Sequence, residues 1–318
     1  MGNDEGGLIM GRILIPERSR WFEVDGQRFE SGPVTYYAHR IASAIFTADL
    51  QAVQRRLPSS RLHPVRWVDG RRALVWVSGL AYEVCHSRAW PLCRYAEMAV
   101  GIVVTTGERP APPLVPLAVP AMQSRYPLGN YMVQCCVTNR LFGHGGNVLM
   151  GTNKFLVDVR NERRADHERF VASESGTTVF DLTVATGGRP TDNSADWHLY
   201  TDQDETLLGW QQSITSTRRM RPGRDSARLV LGDHPAADDV RALGLSERPI
   251  LATFEPDRVV RLSQLPSVHG SARRGLYDHP GSPENEAAYV VSHAPGVDVT
   301  VDQGLADLAF NLHGQWTA

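Results

Sequence analysis

The spacing of apolar residues predicts two short helices in this chain. The first begins at Thr47, a residue type that caps helix N-termini, and ends at Pro58. Its apolar positions recur at helical spacing: Leu50, Val53 and Leu57. The second helix covers residues 236–243 and stops at Gly244. Both patterns are short, so helices are a minor part of the predicted fold.

Elsewhere the apolar residues form short runs, rich in β-branched and aromatic side chains and separated by turn residues, which is the pattern of β-strands. The predicted strands cover residues 73–77, 98–104, 131–137, 155–159, 178–184, 228–231 and 250–260. Strands and helices do not alternate along the chain as a parallel α/β sheet requires. We therefore expect an α+β fold built from mainly antiparallel, strongly curved sheets.

The two ends of the chain differ from its middle. Residues 1–33 are rich in Gly and Arg, and we expect a leader followed by a short strand there. After residue 262, Pro, Gly, His and Ser follow one another in irregular order. We expect one domain over residues 1–262 and a C-terminal extension over residues 263–318, which caps a subunit contact or a pocket. A poorly ordered terminus is the alternative for this extension.

The composition excludes several classes of function. The chain has 318 residues, 42% of them hydrophobic, which is enough to build a core without disulfides. Its best apolar run, residues 98–104, is much shorter than the roughly 20 residues that span a bilayer, so we expect no membrane partner. The net charge is −2 and no block of basic residues is present, so we expect no nucleic-acid partner.

The cysteines indicate a reducing, cytoplasmic location with buried thiols. The chain has four of them: Cys85, Cys93, Cys135 and Cys136. Two are adjacent, and acidic residues lie where a signal peptide would carry basic ones. The first two do not have the spacing of a zinc site, and adjacent residues in a strand point to opposite faces. We therefore expect no metal site.

The basic residues are 32 Arg and a single Lys, Lys154. A genome that favours Arg codons explains the bias. Arginine can replace lysine in ion pairs, but it cannot replace lysine as an amine nucleophile, because the guanidinium stays protonated. The surroundings of Lys154 must therefore decide whether this lysine is incidental or chemical.

Lys154 lies in the segment 130–160, which we interpret as a strand, a Gly-rich loop and a second strand. A phosphate-binding loop is disfavoured, because Lys154 comes two residues too late after Gly146 and Gly151 and a strand follows where a helix is needed. A dinucleotide-binding loop fails for the same lack of a helix. Two interpretations remain: a structural turn with an incidental lysine, or a lysine that forms a Schiff base.

A Schiff-base lysine must lose its proton before it can attack a carbonyl. At a reference pKa near 10.4, only about one amine in a few thousand is free at neutral pH. Removal from water disfavours the ammonium and can lower the pKa to ~7–8. The neighbours of Lys154 are apolar: Leu149, Met150, Phe155, Leu156 and Val157. The same pattern also suits an ordinary buried strand.

The segment around the lysine resembles a stretch of the acetoacetate decarboxylase superfamily. Its sequence is Gly146-Asn-Val-Leu-Met-Gly-Thr-Asn-Lys154-Phe-Leu-Val-Asp, and Lys154 takes the position of the family's Schiff-base lysine. Tyr95-Ala-Glu97 resembles the family's Y-x-E stretch. The helix predicted at 47–58 and the stretch 226–235 also resemble parts of that family in order and spacing. The resemblance spans roughly residues 30–262.

The resemblance implies a cone- or barrel-shaped fold, a homo-oligomer, and a lyase that needs no cofactor and decarboxylates a small or medium oxo acid through a lysine iminium. The chain departs from the family pattern at several positions: Asn147, Val148, Asn153 and Phe155. The last of these replaces a second lysine, which puts acetoacetate itself in doubt as the substrate. An aldolase-dehydratase or cyclase of specialised metabolism, using the same iminium, is the first alternative. A small-molecule binding module without catalysis is the second.

The resemblance also implies roles for individual residues. Lys154 is the expected nucleophile. Glu97 is expected to act as the acid/base or to position the iminium, with a salt bridge to Arg94 as the structural alternative. Either Arg40 or His39 is expected to bind the substrate carboxylate, since both precede the early helix at nearly the right distance. His144 is a candidate proton shuttle, or simply a solvated residue of the lysine segment.

Overall fold

The structure is a computed structural model that describes residues 21–24, 27–30, 34–87, 90–114, 125–203, 205–262 and 267–271. These residues form sixteen strands and three short helices. The strands are β1 (Trp21–Val24), β2 (Gln27–Glu30), β3 (Val34–Asp49), β4 (Leu62–Pro64), β5 (Arg72–Ser87), β6 (Trp90–Thr106), β7 (Leu128–Val137), β8 (Lys154–Leu156), β9 (Asp158–Arg163), β10 (His167–Glu174), β11 (Thr177–Ala185), β12 (Pro190–Gln203), β13 (Thr206–Pro222), β14 (Ala227–Leu231), β15 (Leu251–Leu262) and β16 (Ser267–Ser271). The helices are α1 (Leu50–Arg56), α2 (Arg140–Met150) and α3 (Pro235–Arg241).

Seven of the strands close into a barrel. Their order is β6-β5-β3-β15-β13-β12-β7, and β7 pairs with β6 to complete the ring. Only the pairing of β7 with β12 is parallel within this ring. Strands β4, β8 and β16 extend the sheet from β6, β7 and β13. The expected α+β fold, with antiparallel curved strands forming a cone or barrel, is confirmed.

A second sheet, in the order β14-β11-β10-β9, packs on the outside of the barrel. A Cβ atom at Gly79 of β5 would lie 2.1 Å from Cγ of Phe170 of β10, so this ring occupies the space that the glycine leaves. A barrel of about this size holds only side chains in its interior, so the second sheet must lie outside it. Gly79 therefore faces outward, and Leu80 and Tyr82 of the same strand point into the barrel.

The largest apolar cluster lies between the barrel and the second sheet. It combines side chains of both, among them Phe46, Met98, Phe170, Phe180 and Leu182. Helix α3 adds Ala236, Ala237 and Val240 to this cluster. None of the described helices is long and apolar enough to cross a lipid bilayer.

The helix predicted from Thr47 begins later than expected. Strand β3 continues to Asp49, whose Oδ1 accepts the N–H of Ala52 at 2.7 Å and caps α1. The residues expected to open the helix, 47–49, instead continue strand β3. Pairing of β3 with its neighbouring strands therefore sets where the helix begins. The second predicted helix is present as α3, with Pro235 at its first position.

The prediction of a Gly-rich loop before Lys154 is wrong, because this segment forms the eleven-residue helix α2. Asn139 caps its start, with Oδ1 accepting the N–H of Phe142 at 3.2 Å. Gly151 ends it in the left-handed conformation at φ 64°. Three glycines lower the helix propensity of this segment, and close packing against the sheet compensates for it.

Other elements carried no clear pattern. The sequence does not predict the hairpin of β12 and β13, because its strands are rich in Ser, Thr and Gln and their apolar run at residues 207–210 is short. The short strand expected within residues 1–33 is present as the antiparallel pair β1–β2. Beyond residue 262, β16 pairs with β13. Residues 1–20 and 272–318, the latter most of the predicted extension, lie outside the described residues.

Candidate active site

Three neighbouring strands bring Lys154 and Glu97 together from positions 57 residues apart. Lys154 on β8 lies opposite Cys135 on β7, and Glu97 on β6 lies opposite Val137. Since Cys135 and Val137 are two residues apart, all four side chains share one face of the sheet. Nζ of Lys154 donates a hydrogen bond to Oε1 of Glu97.

This shared face is the interior of the barrel. Glu97 lies opposite Leu80, which points inward from β5, so the register directs Glu97 and Lys154 inward as well. The side chains of Lys154 and Glu97 are only 10% and 7% exposed. The structure therefore places a buried ammonium–carboxylate pair, or its proton-transferred form, within the barrel.

Helix α2 covers the lysine. A Cβ atom on Gly146 would lie 2.7 Å from Cδ of Lys154 and 3.0 Å from its Cε, so the lysine side chain runs directly over this glycine. The amide of Asn147 holds the lysine backbone. It accepts the N–H of Lys154 at 2.7 Å and donates to its carbonyl oxygen at 2.7 Å. Asn147 thus acts as a strand neighbour for Lys154 where β8 begins.

Tyr82 and Cys135 are site residues that sequence reasoning missed. The hydroxyl of Tyr82 donates to Oε2 of Glu97 at 3.2 Å. Burial raises the pKa of Tyr82 well above its usual value, and the charge of Glu97 raises it further, so the phenol stays a neutral donor. Burial likewise raises the pKa of the Cys135 thiol, with Glu97 adding to the effect. Only the cross-strand register identifies these two neighbours.

An aromatic wall closes one side of the pair. The ring of Tyr95 stacks between Tyr82 and Phe142 of α2, with centroids 4.3 Å and 4.4 Å away. These stacked rings exclude water from the neighbourhood of Glu97. The Tyr95-Ala-Glu97 stretch therefore supplies both the wall and the carboxylate.

The other predicted site residues lie elsewhere or outside the description. Arg40 is on the outer face of β3, where it contacts Glu168 at 3.3 Å, Asn161 at 3.1 Å and Glu83 at 3.5 Å. The structure does not bring Arg40 to Lys154. The backbone of His39 lies opposite Tyr82. The side chains of His39 and His144 lie outside the described part of the structure.

Three of the positions that depart from the family pattern make specific contacts in the structure. The first, Asn147, holds the backbone of Lys154. Phe155 is 3% exposed and packs in the apolar cluster between the barrel and the second sheet, on the face opposite Lys154. Asn153 donates to the carbonyl oxygen of Val133 at 3.2 Å. Arg94, the alternative partner for Glu97, instead contacts Glu83 at 3.3 Å.

Within the described ranges, no cluster of three or more His, Cys, Asp or Glu side chains is arranged to bind a metal ion.

Comparison of sequences finds no relative: no protein-family model and no curated protein sequence matches this chain. Comparison of structures finds proteins with a similar fold. Acetoacetate decarboxylase from Legionella pneumophila superposes with a TM-score of 0.59 at 14% identity, covering 85% of this chain and 98% of that one. A second acetoacetate decarboxylase structure gives a TM-score of 0.55 at 15% identity, covering 76% of this chain and 91% of its own.

An enzyme of enduracididine biosynthesis, MppR, is similar to the same degree. Its complex with the condensation product of pyruvate and imidazole 4-carboxaldehyde gives a TM-score of 0.54 at 15% identity, covering 74% of this chain and 89% of that one. All three matches extend over most of both chains while the sequences have diverged. The chain therefore has the fold of the acetoacetate decarboxylase-like enzymes.

Proposed function

We propose that this protein is a lysine-dependent lyase that decarboxylates an oxo acid through an iminium at Lys154. The observation that carries the proposal is the placement of the chain's single lysine inside the barrel, paired with Glu97 and covered by α2. The thirty-two arginines show that ion pairing here does not require lysine. An amine is needed only where it must lose its proton.

Glu97 is the natural acceptor of that proton. Transfer from the ammonium to the carboxylate leaves a neutral amine beside a neutral acid, and burial favours this form because it carries no charge. The hydroxyl of Tyr82 holds the second oxygen of Glu97 and keeps the carboxyl group in place. The same carboxyl can later return the proton, which is the work of a general acid/base.

The proposed reaction balances without a cofactor. The amine of Lys154 attacks the ketone, and loss of water gives the iminium. The bond to a carboxylate on the carbon next to the iminium breaks, its electron pair neutralises the iminium as an enamine, and CO₂ leaves. Glu97 supplies the proton that returns to this carbon. Water then hydrolyses the new iminium, releasing the product and the free lysine.

An aldol-type condensation with dehydration or cyclisation is the second candidate, since it begins from the same iminium. Two observations favour it. Phe155 packs outside the barrel, so its position does not place a second cation beside Lys154. One neighbour of the same fold, MppR, is in complex with a condensation product of pyruvate and an aldehyde.

Reductive trapping tests the iminium. The protein is incubated with acetoacetate or with pyruvate and reduced with borohydride, and its peptides are analysed by mass spectrometry. We expect the adduct on the peptide that contains Lys154, and none in a Lys154→Arg variant. Finding no adduct with either acid would overturn the proposal. Released CO₂ supports decarboxylation, whereas an adduct that consumes an added aldehyde without CO₂ supports the second candidate.

A further inference from the structure

A buried arginine, Arg258, faces the interior of the barrel from the wall opposite the lysine. On β3, His39 lies opposite Tyr82 of β5 on one side and opposite Arg258 of β15 on the other. Directly opposed residues share a face, and Tyr82 points inward, so the register directs Arg258 inward too. In the ring of seven strands, β15 is three steps from β6, which carries Glu97.

Arg258 is buried, and the described residues leave one of its hydrogen-bond donors unpaired. Its side chain is 11% exposed, and its buried Nε has no hydrogen-bond partner among the described residues. The nearest carboxylate oxygen, Oε2 of Glu255, lies 3.8 Å from Nε, which is too long for a hydrogen bond. Burial lowers the pKa of Arg258 from its usual value, because the charged form is removed from water.

Glu255 is already engaged by other groups. Its Oε2 accepts the hydroxyl of Ser216 at 2.5 Å, and its Oε1 accepts Nε of Arg218 at 3.0 Å. The charge of Lys154 is matched by that of Glu97. Arg218 and Arg258 share the single negative charge of Glu255, which leaves one buried positive charge in excess within this group. Such a charge is costly unless an anion joins it.

We infer that Arg258 binds the carboxylate of the substrate while the carbonyl of the same molecule meets Lys154 on the facing wall. This inference rests on the proposed function, and it specifies the substrate as a small oxo acid with a free carboxylate. The planar fork of a guanidinium matches the two oxygens of a carboxylate. Arg40, the alternative from the sequence, is held outside the barrel by two carboxylates and an amide.

The anchored carboxylate is retained in the reaction. A cation stabilises a carboxylate more strongly than neutral CO₂, so Arg258 opposes the loss of the group that it holds. Any bond that breaks or forms therefore lies on the other side of the carbonyl. A substrate that loses CO₂ must therefore carry a second carboxylate on that side, as oxaloacetate does. Pyruvate presents the anchored carboxylate and the carbonyl alone, so it reports binding and iminium formation without decarboxylation.

Pyruvate and methyl pyruvate provide the test, since they share the reactive carbonyl and only pyruvate carries a charge. The concentration that gives half-maximal trapping at Lys154 is measured for both compounds. Arg258→Gln should raise this concentration for pyruvate by about 10- to 100-fold and leave methyl pyruvate unchanged. Arg169→Gln, an outer-sheet arginine bound to Asp181, is the matched control and should alter neither.

Equal losses for both compounds, or no loss for pyruvate, would overturn the role of Arg258. Should Arg258→Gln fail to fold by circular dichroism, Arg258→Lys keeps the charge without the fork. This variant should bind pyruvate less tightly than the native protein. Native-like pyruvate trapping in a folded Arg258→Lys variant would equally contradict the inference.

Lactate separates this inference from the proposed function. It carries a carboxylate but no carbonyl, so it cannot form an iminium. We expect calorimetry to show lactate binding by the native protein and at least about tenfold weaker binding by Arg258→Gln. If lactate binding depends on Arg258 while no oxo acid is trapped, the proposed iminium at Lys154 is wrong and carboxylate binding by Arg258 is supported. If trapping succeeds and Arg258→Gln leaves both pyruvate and lactate unaffected, only carboxylate binding by Arg258 is wrong.

Discussion

Two buried carboxylates, one on each side of the barrel wall, have similar hydrogen-bond partners but differ in the cation that each one contacts. Outside the barrel, Glu168 is fully buried and accepts from Arg40 and from Asn161 at 2.9 Å. Inside, the side chain of Glu97 is 7% exposed and accepts hydrogen bonds from Lys154 and Tyr82. Glu97 lies on a barrel strand and Glu168 on a strand of the second sheet. Each carboxylate accepts hydrogen bonds from one cation and one neutral donor.

The difference lies in the cation. The guanidinium of Arg40 keeps its proton, so the outer pair can only hold the second sheet against the barrel. In the proposed mechanism the ammonium of Lys154 gives its proton to Glu97, and the inner pair then exposes a nucleophile. Burial of a carboxylate therefore does not by itself distinguish the proposed catalytic pair from a structural pair. The distinction lies in whether the partner of the carboxylate can release a proton.

Moving the lysine from the inner pair to the outer pair should produce the largest effect. The double variant Lys154→Arg/Arg40→Lys preserves the charge of both pairs and relocates the only lysine. We expect trapping with an oxo acid to disappear and turnover to fall by about a thousandfold or more. Mass spectrometry after borohydride reduction checks both sites. An adduct at position 40 would show that location in the barrel is irrelevant.

Removing one carboxylate from each pair should separate catalysis from stability. Glu97→Gln should reduce turnover by about 10²–10⁴-fold, because the proton of Lys154 loses its acceptor. Glu168→Gln should instead lower the free energy of unfolding by about 1–3 kcal/mol, because Arg40 loses its charged partner. Urea denaturation and steady-state turnover are measured for both variants. Similar turnover losses in the two variants would erase the distinction between the sites.

Filling the space under the lysine should have a moderate effect. Gly146→Ala displaces the Lys154 side chain, and we expect trapping to slow by about tenfold, as for other small misplacements of a reacting group. Gly143→Ala is the control, since its Cβ meets Val137 at 3.2 Å and does not approach Lys154. Both changes raise helix propensity by about 1 kcal/mol, but both also add a Cβ contact of 3.2 Å or less, so urea unfolding of each variant accompanies the trapping measurement. Equal trapping rates in the two variants would remove the positioning role of Gly146.

The smallest effect concerns pH. Burial raises the pKa of the thiols of Cys135 inside and Cys136 outside the barrel. Their stabilising contribution is complete below the unfolded thiol pKa and declines as pH rises above about 8.5, since unfolded thiols release protons that native ones retain. We therefore expect urea denaturation to show that the free energy of unfolding falls by up to about 1.4 kcal/mol per pH unit for each thiol.

A variant with Cys135→Ala and Cys136→Ala should lose stability more gradually above that pH, since its unfolded state has fewer thiols to ionise. An unchanged pH slope in this variant would assign the decline to other groups, such as Tyr82. Peptide mapping after thiol alkylation at neutral pH should also find both residues unlabelled in the native protein.

Local patterns predicted much of the sheet but misjudged segments whose structure depends on packing. The runs at 98–104 and 131–137 are strands because β-branched and apolar residues dominate them. The polar hairpin of β12 and β13 carries no such signal, and only pairing with neighbouring strands makes it regular. The glycines of α2 indicated a loop, yet the helix needs them to approach Lys154 and Val137 closely.

By itself the sequence determined the fold class, and it singled out Lys154 and Glu97 as the proposed nucleophile and acid/base. These follow from residue type, local periodicity and the Lys154 and Glu97 stretches. Only the tertiary structure decided which side of the barrel wall each charged residue faces. Arg40 and Arg258 are the same residue type, and cross-strand register places one outside and the other inside. Register depends on contacts between distant segments, so no local pattern along the chain can reveal it.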